Sequence, residues 1–85
     1  VDAYLTPVNR PGYYMFPTKE LALDAIRNAR KPIIAIKPLA GGRDLGTAAF
    51  DHVYNSVGVA STLYGMGSAA QVRETTAAAC TVLAA

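Results

Sequence analysis

With 85 residues, the chain forms one small domain or part of a larger one, and at that length it buries only about 60–65% of the surface its unfolded form exposes. Hydrophobic residues make up 52% and charged residues 16%, with eight Lys and Arg against six Asp and Glu. Disorder, which needs low hydrophobicity and high charge, is excluded; so is a membrane-spanning helix, because no apolar run approaches the ~18 residues one requires. An ordinary domain carries roughly 25% charged residues, so surplus apolar surface is expected to meet protein, either further chain or another copy of this one.

Basic residues are scattered from Arg10 to Arg73 without a run, which predicts neither a nucleic-acid nor a membrane partner. Cys80 is the only cysteine and cannot form an internal disulfide, so no oxidising compartment is implied and a cytoplasmic location is expected. Cys80 and the single histidine, His52, cannot build a four-ligand zinc site. A chain opening Val1-Asp2-Ala3-Tyr4, with neither Met nor a signal-peptide pattern, is expected to be processed or partial.

In chain order, Ala3 to Val8 reads as a short strand limited by Pro7, which has no ladder donor. Asn9-Arg10-Pro11-Gly12 is a turn signal, and Tyr13-Tyr14-Met15-Phe16 is an apolar cluster suited to core or interface packing or to covering a ligand. Thr18 is placed to cap a helix, with Glu20 in its first turn. Ala22, Ala25, Ile26 and Ala29 lie at helical spacing, Lys31 suits the end and Pro32 stops it. Ile33-Ile34-Ala35-Ile36 reads as a strand buried on both faces, which points to a parallel sheet. Asp44 is placed to cap a second helix over Leu45 to Tyr54, with Leu45, Ala48, Ala49 and Val53 on one face. Val57 to Tyr64 reads as a third strand, and Ser68 with Gln71 matches a capping box opening a last helix to about Ala84. The alternation is α/β: residues 1–85 form about three strand-helix units with parallel strands. Three units cannot close an eight-stranded barrel, and they leave two sheet edges open.

Chemistry in parallel α/β proteins sits at the carboxyl ends of the strands, here Asn9 to Gly12, Lys37 to Arg43 and Tyr64 to Ser68. Glycines before a helix start let a phosphate approach free amides, and Gly65-Met66-Gly67-Ser68 has the required order; a tight turn with a good cap reads the same way. Lys37 ends an apolar strand, where a partly desolvated amine suits Schiff-base chemistry and a solvated one suits phosphate neutralisation. His52, beside Asp51, falls on a polar helix side and reads as a surface residue. Cys80, among alanines, reads as packed.

The run Ile33 to Gly42, ending Lys37-Pro38-Leu39-Ala40-Gly41-Gly42, resembles the sixth-strand segment of the aldo/keto reductases, whose pattern is Lys/Ser-Pro-Leu-x-x-Gly. Val57 to Glu74 resembles the last strand and helix of that family, and Val1 to Tyr4 with Asn9 is similar to its fifth strand. The resemblance implies a partial TIM-barrel segment, the C-terminal part of an NADPH-dependent oxidoreductase. It implies cofactor-side roles for Leu39, Gly41, Gly65, Gly67, Ser68, Gln71 and Glu74. The family's catalytic Asp, Tyr, Lys and His belong to earlier strands, so the chain is expected to be inactive alone. Thr75 stands where the family has Asn, and the interval from Gly42 to Gly58 is short for it. A barrel lyase using Lys37, and a non-catalytic partial barrel that assembles with itself, are the other readings.

Overall fold

The computed structural model describes residues 1–85. Three strands, β1 (Tyr4–Pro7), β2 (Ile33–Ile36) and β3 (Ser61–Leu63), form one sheet in the order β1-β2-β3. Both pairings are parallel, with Tyr4 opposite Ile33 and Ile34 opposite Ser61. The protein is therefore of mixed α/β class, with an open parallel sheet.

Helix α1 (Lys19–Arg27) begins where expected, because the Thr18 hydroxyl accepts from the Leu21 amide. It ends earlier than Lys31. Asn28 leaves helical geometry and donates from its side chain to the Asp24 carbonyl, closing the last turn with a local bond. Leu23 is buried and Ala22, Ile26 and Ala29 are half-buried, while Ala25 faces solvent.

The second helix departs most from expectation. A 3-10 turn (Ala40–Gly42) comes first, then α2 (Thr47–Asp51), which runs directly into a π-helical turn (His52–Val57). Gly46, with no side-chain cap, opens α2; Asp44 does not cap it, because its carboxylate is taken by Arg10. Ala49, Phe50 and Val53 are buried, whereas Leu45 and Ala48 are exposed. Gly58, at φ 86°, ends the π turn, and its amide and that of Val59 both bond the Val53 carbonyl. That closure takes residues 57 and 58 away from β3, which is shorter than Val57 to Tyr64. Helix α3 (Ala69–Ala84) follows, with the Ser68 hydroxyl accepting from the Gln71 amide.

The core lies on one face of the sheet. Val8, Ile33 and Ala35 meet Phe50 and Val53 of the α2 region, Val59, and Ala79 and Val82 of α3, with Ile26 and Ala29 packed against them. Burying a large apolar side chain stabilises by about 1.5–3 kcal/mol, so Phe50, fully buried against Tyr64 at 5.4 Å, is a principal anchor. The opposite face is bare. Ile34 and Ile36 are only half-buried and Leu5 and Leu63 are 59% and 53% exposed; burial of β2 on both faces is thus corrected to burial on one. At the sheet edge, the Tyr4 and Val8 amides donate inward to Pro32 and Ile36, and alternation along the strand turns Leu5 and Pro7 toward the free side.

Candidate functional site

A cavity of about 1090 Å³ opens between the carboxyl ends of β2 and β3. Ile36, Phe50, Leu63 and Tyr64 give it apolar walls, and Lys37, Gln71, Glu74 and Thr75 bring polar groups to it. Of the positions singled out by the resemblance, Leu39, Gly41, Gly65, Gln71 and Glu74 line this one cavity. Gly67 and Ser68 do not line it; they stand at the start of α3, next to Gln71 through its caps.

The α3 turn is less open to an anion than its sequence suggests. The Gly67 amide donates to Gln71 Oε1 at 2.6 Å and the Gln71 amide to the Ser68 hydroxyl at 3.1 Å. The Gly67 amide is thus satisfied within the chain, which leaves the amides of Ser68, Ala69 and Ala70 at the helix start. Neither Gly65 nor Gly67 sits in the left-handed region; a Cβ at Gly65 would meet nothing within 4 Å, and one at Gly67 only Gln71 Oε1 at 3.4 Å. Glycine is not needed there by the fold, and its effect is to leave bare backbone beside the cavity. Gly41 is different: its φ is +66°, and a Cβ would lie 2.8 Å from Arg43 Nη1 and 3.2 Å from the Tyr13 ring.

The other wall is tied together by residues whose role the sequence did not reveal. Asn9 is fully buried. Its Oδ1 accepts from the Gly12 and Tyr13 amides at 2.8 and 2.7 Å, and its Nδ2 donates to the Tyr13 and Lys37 carbonyls at 2.9 and 3.1 Å. One side chain thereby closes the loop after β1 and joins it to the exit of β2. Arg10 adds a second tie, donating from Nε and Nη2 to the two oxygens of Asp44 at 2.7 and 2.5 Å. The hydrogen bond and charge of Arg10 hold the Asp44 carboxyl below the usual carboxylate range, although partial burial opposes this. Lys19 Nζ donates to the Arg10 carbonyl. The turn signal at Asn9 was visible, but not a partner 28 residues away.

Lys37 and Ala40 both have positive φ, 54° and 53°; non-glycine residues held there cost about 1–3 kcal/mol each and cluster at functional sites. Lys37 is exposed, its amine 5.2 Å from the centre of the Tyr14 ring. The desolvation on which imine chemistry would rest is therefore lacking. Tyr64 packs edge-on against Phe50, and Tyr54, stacked on Phe50 at 6.4 Å, shares a 2.8 Å hydrogen bond with Thr62.

His52 is not the surface residue expected. It is half-buried, its Nε2 is buried without a partner, and its pKa is lowered, first by burial and then by Lys19 and Arg10, with Asp44 opposing. Cys80 is exposed rather than packed, because α3 turns Ala79 and Val82 inward instead. No group of three or more His, Cys, Asp or Glu is placed to hold a metal ion, and no helix is long and apolar enough to cross a membrane. No protein-family model, curated protein or solved structure matches the chain.

Proposed function

We propose that the chain is the cofactor-phosphate-binding, C-terminal portion of an NADPH-dependent oxidoreductase resembling the aldo/keto reductases. The observation that carries this reading is the convergence of Leu39, Gly41, Gly65, Gln71 and Glu74, with Lys37, on one cavity at the carboxyl ends of parallel strands. The residues fit such a group. Lys37 and the amides at the start of α3 suit phosphate, bare backbone at Gly65 and Gly67 permits close approach, and the Glu74 carboxylate suits a ribose hydroxyl rather than a phosphate. NADPH, when bound, supplies a hydride; the residues of this chain would bind and orient it. The barrel is part of the same proposal. Consecutive parallel strands with helix residues packed on one face suit a segment of a closed barrel, whose interior would be lined by the bare face.

Calorimetric titration tests the reading. NADPH should bind the chain, and Gly67→Val should weaken that binding by more than any loss of folding free energy explains. If phosphate, sulfate and NADPH all bind the folded variant as well as the parent, the turn is a cap alone and the cofactor reading falls.

A second reading rests on a different observation, the bare apolar face of Leu5, Ile34, Ile36 and Leu63. Without the rest of a barrel, this face would be covered by another copy. Sedimentation at micromolar concentration should then show a dimer or larger species, and a well-folded monomer counts against it.

A further inference from the structure

The charge of the molecule is concentrated at one end. Residues 9–19 and 37–44 contain Arg10, Lys19, Lys37 and Arg43 against Asp44 alone, a net +3, while the remainder, with four cations and five carboxylates, is −1. Asp44 is occupied by Arg10 and forms the only salt bridge. Lys37 and Arg43 have no carboxylate partner; each lies against a ring instead, Lys37 over Tyr14 at 5.2 Å and Arg43 over Tyr13 at 4.1 Å.

Those rings, with Phe16, form a stepped shelf in which each ring stands edge-on to the next. Tyr13 meets Tyr14 edge-on at 4.5 Å, and Tyr14 meets Phe16 edge-on at 6.0 Å. Tyr14 is 52% and Phe16 74% exposed, although an apolar cluster in an uncommitted loop would bury its rings if it could. The shelf is also fixed in place. Asn9 bonds both the amide and the carbonyl of Tyr13, Met15, between Tyr14 and Phe16 in the chain, is buried, and Tyr14 is held at φ 58°. Exposed rings on a fixed loop, next to cations lacking carboxylates, match one kind of ligand better than others. A plain anion has no use for the rings, and a neutral ring leaves the cations uncompensated.

We propose that Tyr14 and Phe16, with Lys37 and Arg43, bind a planar aromatic ring that bears a negative charge. The ring stacks on Phe16, the more exposed of the two, with Tyr14 edge-on beside it, and the anionic substituent meets Lys37. The α3 turn takes no part, so this site does not depend on the cofactor reading; Lys37 is the side chain the two share.

Fluorescence anisotropy of 2-naphthyl phosphate with the full chain tests it, with competition by cyclohexyl phosphate (charge without an aromatic ring), 2-naphthol (ring without the phosphate) and 2-naphthoate (a carboxylate in place of phosphate). Stacking of a ring on an aromatic side chain, and a charge-assisted contact, are each worth roughly tenfold in affinity. Naphthyl phosphate and naphthoate should each bind about tenfold tighter than cyclohexyl phosphate and than naphthol. Their relative strength identifies the preferred anion. Phe16→Ala and Lys37→Met should each weaken naphthyl phosphate several-fold, and Gly67→Val should leave it unchanged. Tyr14→Ala is the sharper variant; should it misfold, Phe16→Ala, at a more exposed position, decides. Cyclohexyl phosphate binding as tightly as naphthyl phosphate overturns the proposal, as does undiminished binding by folded Phe16→Ala. Equal weakening by Gly67→Val would move the anion to the α3 turn and likewise overturn it.

Discussion

The chain leaves β2 and β3 side by side, yet the two exits are built on opposite principles. After β2 it passes through Lys37 and Ala40 at positive φ, then Gly41 and Gly42 at 66° and 87°, and the loop is fastened to its neighbour by Asn9 and by Arg10–Asp44. After β3 it passes through Gly65 and Gly67, neither of them left-handed, and its bonds are the local caps of Ser68 and Gln71. The first exit holds atoms in unfavourable conformations through long-range buried bonds. The second keeps favourable conformations and leaves space. A cavity between them thus has one wall of fixed shape and one that a ligand can approach closely.

The strongest way to break the contrast is to remove the fastening. Asn9→Leu strands the Gly12 and Tyr13 amides and the Tyr13 carbonyl, while the Lys37 carbonyl keeps its bond from the Ala40 amide, and each buried unsatisfied group costs about 1–3 kcal/mol. A loss of about 3 kcal/mol or more is expected in urea denaturation, with the loops after β1 and β2 exchanging their amides faster. Ser68→Ala, a change confined to the second exit, should cost less, about 1 kcal/mol within the usual 0.5–2 range for such caps. Its effect on amide exchange should stay within the first turns of α3.

Glycine replacements sharpen the comparison. Gly42 sits at φ +87° with open space around it, so Gly42→Ala should cost about 1–2 kcal/mol through the backbone alone. Gly65→Ala meets no contact and needs no left-handed backbone, so it should be neutral or gain up to about 1 kcal/mol. Equal effects in thermal melts would erase the distinction drawn between the exits.

The smallest expected effect is that of pH. Burial and nearby cations lower the His52 pKa below 6.5, so the folded chain favours the neutral ring. Below about pH 6.5 the unfolded chain binds the proton first, and stability falls until the folded-state pKa is passed. The urea midpoint should decline from pH 7.5 to 5.5, and His52→Gln should flatten that decline. Because Arg10, Lys19 and Asp44 surround His52 electrostatically, acid should loosen the first exit before the second.

What could be read from the sequence was local chemistry. Thr18 and Ser68 cap helices through bonds three residues long, and Ile33–Ile36 is a strand whatever lies around it. Asp44 misled because its partner is 34 residues away; a carboxylate before a helix looks like a cap until a guanidinium claims it. Burial was misread for a related reason. An unbroken apolar run states that a strand tolerates cover on both faces, whereas the cover itself depends on how many helices the chain has and on which side they pack. The cavity was half legible: glycine and Lys37 mark strand ends, but the Asn9 bonds and the ring-cation contacts depend on loops meeting in space.

Pro7 has one further consequence. It lies on the outward side of β1, where it removes a donor that an incoming strand would need, whereas β3 contains no proline and keeps every backbone donor. The sheet thus has one blunted border and one receptive border. Two copies joining through their β3 borders about a two-fold axis would use up both receptive sides and present only blunted ones. Growth by edge pairing would then terminate at a pair instead of running on into a fibre.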